Sequence, residues 1–128
     1  MGPDRLGDEE TVYRALLRKQ WVDPDTHTIK RDAFMRRPQK DDDGLSVFRS
    51  RFARPEEVAG RFQRCHGVCE LKVSAIRKLG LDVRPTSETD PAHAVIVGLP
   101  TYDENPSEAL KLAVELAKNA RLLGKLCK

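Results

Sequence analysis

Along Thr11-Val12-Tyr13-Arg14-Ala15-Leu16-Leu17, an extended chain would place Val12, Arg14 and Leu16 on one face and Tyr13, Ala15 and Leu17 on the other. This pattern predicts a first strand, with helix as the alternative that its Ala and Leu content leaves open. Trp21-Val22 leads into Asp23-Pro24-Asp25, a turn signal because proline fixes φ while Asp side chains cap nearby backbone. Residues 29–35 predict a short helix or an irregular segment. The charged loop Lys40-Asp41-Asp42-Asp43-Gly44 precedes Leu45-Ser46-Val47-Phe48, whose alternation favours a short strand. Pro55-Glu56-Glu57 opens a helix, since proline is tolerated at the first position and acids there complement the helix dipole. Val58 and Phe62, with Ala59 beside them, supply its inner stripe.

After Gly67, Val68-Cys69-Glu70-Leu71-Lys72-Val73 alternates cleanly and predicts another strand, with Cys69, Leu71 and Val73 inward and Glu70 outward. Ser74 caps a single helical turn through Leu79, which Gly80 stops. Residues 81–84 form a short extended piece cut by Pro85. Residues 92–97 are the most hydrophobic strand and are expected at the centre of the sheet. Asn105-Pro106-Ser107-Glu108 is a well-formed helix start, followed by Leu112, Leu116, Ala120 and Leu123 at helical spacing, so a helix is expected over 106–123. These elements predict one α+β domain over residues 11–123. A small mixed or antiparallel sheet of four to five strands would carry the long C-terminal helix. Residues 1–10 are read as a disordered segment and 124–128 as a flexible tail.

The length of 128 residues suits one domain, and 39% apolar against 34% charged residues describes a polar surface around a modest core. No run approaches the roughly 20 apolar residues that cross a bilayer, and the acidic N-terminus is unlike a secretory signal. Three cysteines, Cys65, Cys69 and Cys127, are too few for a disulfide framework, so a reducing cytoplasm is expected. Cys65-His66-x-x-Cys69, with His93 elsewhere, holds residue types that bind zinc, but a fourth ligand is missing unless Cys127 reaches in. We expect no metal and no cofactor. Cys65 and His66 point in opposite directions on an extended chain, which argues against a thiol nucleophile with an adjacent base.

Arginine clustering changes the picture more. Lys30, Arg31, Arg36, Arg37 and Lys40 stand against Asp32 alone over residues 30–40, and Arg49, Arg51, Arg54, Arg61 and Arg64 stand against Glu56 and Glu57 over residues 44–64. The planar guanidinium fork suits phosphate and carboxylate recognition. Asp41-Asp42-Asp43 lies between the segments as a counter-charge, and a solvated charged face is the competing reading. The net charge is only +3 and aromatics are 5%, without a base-stacking pair on a strand. The leading expectation is a non-enzymatic binding module. Its Arg31, Arg36, Arg37, Arg49, Arg51, Arg54, Arg61 and Arg64 would meet an acidic partner, either nucleic acid or an acidic protein surface.

A second class competes. Arg14 on the first strand, Ser46 on the second and Glu70 on the third resemble the Arg, Ser and Glu of ADP-ribosyltransferases. That resemblance implies Arg14 on the NAD phosphates, Ser46 bracing the nicotinamide ribose and Glu70 directing transfer; the longer Ser-Thr-Ser pattern of that superfamily is absent. More broadly, Tyr13-Arg14-Ala15, Asp43-Gly44-Leu45-Ser46-Val47 and residues 91–98 resemble a group of short uncharacterised bacterial proteins, over about residues 11–120. That likeness implies a compact bacterial accessory protein and carries no activity to transfer.

Overall fold

Strand alternation builds the central layer. In chain order the elements are β1 (Thr11–Ala15), a 3₁₀ turn at Lys19–Trp21, β2 (Val22–Asp23), β3 (Thr28–Ile29), a 3₁₀ turn at Arg31–Phe34, β4 (Leu45–Arg49), α1 (Pro55–Gly60), β5 (Val68–Lys72), α2 (Val73–Lys78), β6 (Asp82–Pro85), β7 (His93–Val97), α3 (Pro106–Asn119) and β8 (Arg121–Leu122). The structure, a computed structural model, describes residues 5–23, 25–38, 41, 43–86 and 89–123. Six strands form one antiparallel sheet in the order β6-β7-β4-β1-β5-β8, while β2 and β3 pair in a separate hairpin.

Residues opposite one another in a ladder share a face. The pairs Val12↔Leu71, Val47↔Ala94 and Val83↔Ile96 therefore line one side, and Tyr13↔Glu70 and Phe48↔His93 the other. The first side is closed by α2, α3 and the 31–34 turn, which add Ile76, Phe34, Leu112, Ala113 and Leu116 to one contiguous core. Leu116 and Phe34 are fully buried, each worth about 1.5–3 kcal/mol of apolar burial. On the second side α1 packs Val58 and Ala59 over Ala15, Phe48 and Val68. Asn105 Oδ1 accepts from the Glu108 N–H at 3.2 Å, capping α3 as its sequence predicts. Gly44, at φ +125°, starts β4 where a Cβ would run into the Ile96 carbonyl oxygen.

The fold is mixed α+β, with an antiparallel sheet and a C-terminal helix, but the sheet has six strands where four to five were expected. The extra strand is β8. The helix stops at Asn119, Ala120 turns extended, and Arg121 and Leu122 pair with Glu70 and Cys69. The apolar residue at 122 and the Arg121–Glu70 ion pair favour joining the sheet over another helical turn. The hydrophobic strand β7 lies one place in from the β6 edge rather than at the centre, where β4 and β1 run. Its apolar character reflects coverage of both faces, with Ala94, Val95 and Ile96 all buried. Residues 29–35 divide between the end of β3 and the 31–34 turn.

Pro85 is itself the last residue of β6, opposite Ala94, so the extended piece runs one residue beyond Arg84. Thr86 N–H donates to the His93 carbonyl, so by antiparallel alternation the Pro85 nitrogen faces away from β7 and the ladder loses no donor. Residues 5–10, read as part of a disordered lead-in, are tied to the domain at several points. Leu6 is buried in the core, the Gly7 N–H donates to Glu10 Oε2 at 2.8 Å, and Glu10 pairs with Arg49. Residues 1–4 and the 124–128 tail, including Cys127, lie outside the described residues, as do Lys40 and Asp42.

Candidate functional site

The eight arginines expected to form one binding face are put to different uses. Arg49 faces the core at 1% exposure, holding Glu10 through Nε at 3.1 Å and Nη2 at 2.9 Å. Burial works against the Glu10 carboxylate, but the Arg49 hydrogen bond, the Gly7 N–H and the Arg49 charge together hold its pKa below the ordinary value. Arg36 donates to the Asp41 and Leu99 carbonyls and pairs with Glu104, Arg37 pairs with Asp41, and Arg54 pairs with Glu57. Arg61 grips Asp90 at 2.8 and 3.2 Å while stacking over Phe48. Arg51 is exposed and stacks on Phe52, and Arg64 is exposed. Arg31 lines a groove beside the β2–β3 hairpin.

Arg14, Ser46 and Glu70 do not converge. Arg14 pairs with Cys69 and Glu70 with Tyr13, which sets Arg14 and Glu70 on opposite faces of the sheet. Arg14 is a core strut. Its Nε donates to the Ala33 carbonyl at 2.7 Å and its Nη1 to the Ser46 carbonyl at 2.8 Å, while the guanidinium lies over Trp21 and Phe34. Burial drives its pKa down to about 10, which still leaves it charged at neutral pH. Glu70 is engaged with Arg121 through Nε at 2.6 Å. The Ser46 hydroxyl meets His93 Nε2 at 3.1 Å, and His93 Nδ1 meets Thr86 Oγ1 at 2.7 Å. Burial lowers the His93 pKa, Asp90 opposes the fall and Arg61 adds to it. The NAD-binding constellation expected from the sequence is therefore not assembled.

The cysteine and histidine candidates also part company. Cys69 is buried on the Arg14 face, its thiol pushed up to about 12 by desolvation. Cys65 packs beside the α1 core and donates to the Gly67 carbonyl at 3.1 Å. His66 is exposed and turns toward a groove. No group of three potential metal ligands converges among the described residues.

That groove gathers basic side chains from several elements beside apolar surface. It has a volume of about 1120 Å³ and lies between the β2–β3 hairpin, the 31–34 turn, the last turns of α3 and β8. Its apolar floor is Val22, Ile29, Val114, Ala117, Ala120 and Leu122. Its polar wall carries Lys30, Arg31, Lys118, Arg121, His27 and His66, with Asp32 as the one acid among the lining residues. Glu70 answers Arg121, and Glu115 lies 3.5 Å from Lys118. Lys30 and Arg31 have no carboxylate within ion-pair distance among the described residues. A smaller recess of about 480 Å³ continues past Val22, Lys30 and His66 to Lys19. The Asp23-Pro24-Asp25 turn signal was readable, but not the two-residue strands beside it. Asp23 Oδ1 accepts from the Asp25 N–H at 2.9 Å, and His27, at φ 57°, closes the hairpin by donating its N–H to the Asp23 carbonyl. Lys118 and Arg121 lie far along the chain from Lys30, and no local spacing links them.

Among the described residues no helix is long and apolar enough to cross a membrane. No known protein family, curated protein or solved structure matches this chain, so the groove's own chemistry is what bears on its use.

Proposed function

We propose that this protein is a binding module for an acidic partner, and that the groove between the β2–β3 hairpin and β8 is the site. The observation that carries this reading is that Lys30 and Arg31, neither within ion-pair distance of a carboxylate among the described residues, stand beside the apolar floor of the groove. Structural cations in this fold are matched with acids or buried, as Arg49, Arg61 and Arg77 are. Cations left open beside apolar surface fit a ligand that brings both negative charge and apolar contact. This moves the expected arginine-rich surface of residues 30–64 to a groove that shares Lys30 and Arg31 with that segment.

The test is titration of the full chain with fluorescent polyglutamate at rising salt, beside a neutral polymer of equal length. Binding should weaken as salt screens the charges, and the double reversal Lys30→Glu/Arg31→Glu should remove it. Polyglutamate binding that the reversal leaves intact would move the site elsewhere, and absence of binding at low salt would end the reading.

A further inference from the structure

The face of the sheet that α1 only partly covers carries a hydroxyl, an imidazole and a second hydroxyl in contact. Antiparallel pairing sets Ser46 opposite Val95 and Phe48 opposite His93, so Ser46 and His93 are diagonal neighbours on that face. α1 packs over Ala15 and Phe48, while Ser46 and Thr86 stay exposed and His93 is partly buried. The His93 ring packs against Phe48 with centroids 5.4 Å apart, and its Nε2 lies 3.1 Å from Ser46 Oγ. None of these residues lines the groove.

The contacts assign the protons. Thr86 Oγ1 donates to the His93 carbonyl at 3.3 Å and lies 2.7 Å from His93 Nδ1. A hydroxyl has one hydrogen, so both bonds form only when Nδ1 carries the ring proton and donates to Oγ1. Nε2 is then a lone pair facing the Ser46 hydroxyl. Among the described residues the charges acting on the ring are Asp90, on the loop before β7, and Arg61, just after α1. Burial lowers the His93 pKa, Asp90 resists and Arg61 adds to the fall, so the ring is uncharged at neutral pH. An exposed hydroxyl gains little stability from such a bond, since water would serve it as well. A hydroxyl beside a neutral imidazole whose other nitrogen is held is instead the arrangement of an activated serine.

We propose that Ser46 is a nucleophile for acyl transfer from activated carboxylic esters, with His93 as its general base and Thr86 as the residue that positions His93. This goes beyond the acidic-partner reading and does not depend on it. Ser46 Oγ bonds to the ester carbonyl carbon as its proton passes to His93 Nε2. The bond from that carbon to the leaving oxygen then breaks, and the leaving group takes the proton from Nε2. The products are an O-acyl serine and an alcohol; attack by water, with His93 again as base, releases the carboxylic acid and restores Ser46. The open position of Ser46 suits esters with a good leaving group, because remote binding energy contributes little to lowering the barrier there.

The experiment follows nitrophenolate release from p-nitrophenyl acetate by the full chain, and maps by mass spectrometry the residue that a fluorophosphonate labels with loss of fluoride. The label should fall on Ser46. Native release should exceed that of Ser46→Ala, and this difference should drop about a hundredfold in His93→Gln. It should rise with pH and level off above the ordinary histidine value, because the base acts when deprotonated and its pKa is depressed. Thr86→Val should slow the reaction and shift that pH midpoint, and Thr86→Ser should restore both. Should His93→Gln fail to fold, Ser46→Ala and the two Thr86 variants, at exposed positions, decide the matter. Native release no faster than that of Ser46→Ala, or a label on another residue, would overturn the proposal. A Ser46-dependent rate that climbs with hydroxide without a plateau would remove His93 as the base.

Discussion

Arg14 and Arg49 lie inside the molecule on one face of the sheet, whereas Lys30 and Arg31 stand on the rim of the groove. The interior pair is itself divided. Arg49 is held by the Glu10 carboxylate, while Arg14 relies on two carbonyl oxygens and the faces of Trp21 and Phe34. The contrast separates basic residues that set the shape of the fold from those left available to a ligand. Counting basic residues along the chain does not distinguish them, because Arg49 and the Lys30–Arg31 pair all lie within the basic stretch of residues 30–64.

The deepest break should come from Glu10→Ala, which leaves Arg49 buried without its counter-charge. We expect a loss of about 3–5 kcal/mol, read from the urea midpoint. Arg14→Met should cost less, about 2 kcal/mol, because it strands the Ala33 and Ser46 carbonyls but also removes a buried charge. A larger loss for Arg14→Met than for Glu10→Ala would reverse the proposed division. Acid sharpens the same contrast. The folded-state pKa of Glu10 lies below the ordinary glutamate value, so its contribution is complete above that value and is lost as pH falls through the depressed range. Stability measured downward from neutral pH should therefore fall more steeply in the native protein than in Glu10→Ala, and parallel curves would contradict it. The smallest effect on folding belongs to Lys30→Glu/Arg31→Glu, which should leave unfolding free energy within about 0.5 kcal/mol while abolishing polyglutamate binding.

Much of the fold was legible because periodicity carries burial. The strands around Val47, Leu71 and Ile96 and the helix through Leu112 and Leu116 follow directly from apolar spacing. Two-residue strands such as β3 and β8 are too short to show a period, and they are set by partners distant in the chain. The candidate site was less legible for the same reason. Arg31 was singled out from local charge, but its neighbours Lys118 and Arg121 come from the far end of the chain. Sequence alternation did place Arg14 and Glu70 on the faces they occupy. What it could not show was that the 31–34 turn folds over Arg14 and turns it into a core residue.

The closed edge at β6 has a bearing on how copies of this protein meet one another. Growth of a sheet from molecule to molecule requires each unit to present one receptive edge and one donating edge. Here Pro85 and the Asp82-capped Val83 N–H leave the β6 margin without a free donor at either position, so a second copy could meet it there only through the outward carbonyls. An edge of that kind is a poor template for sheet growth from one copy to the next.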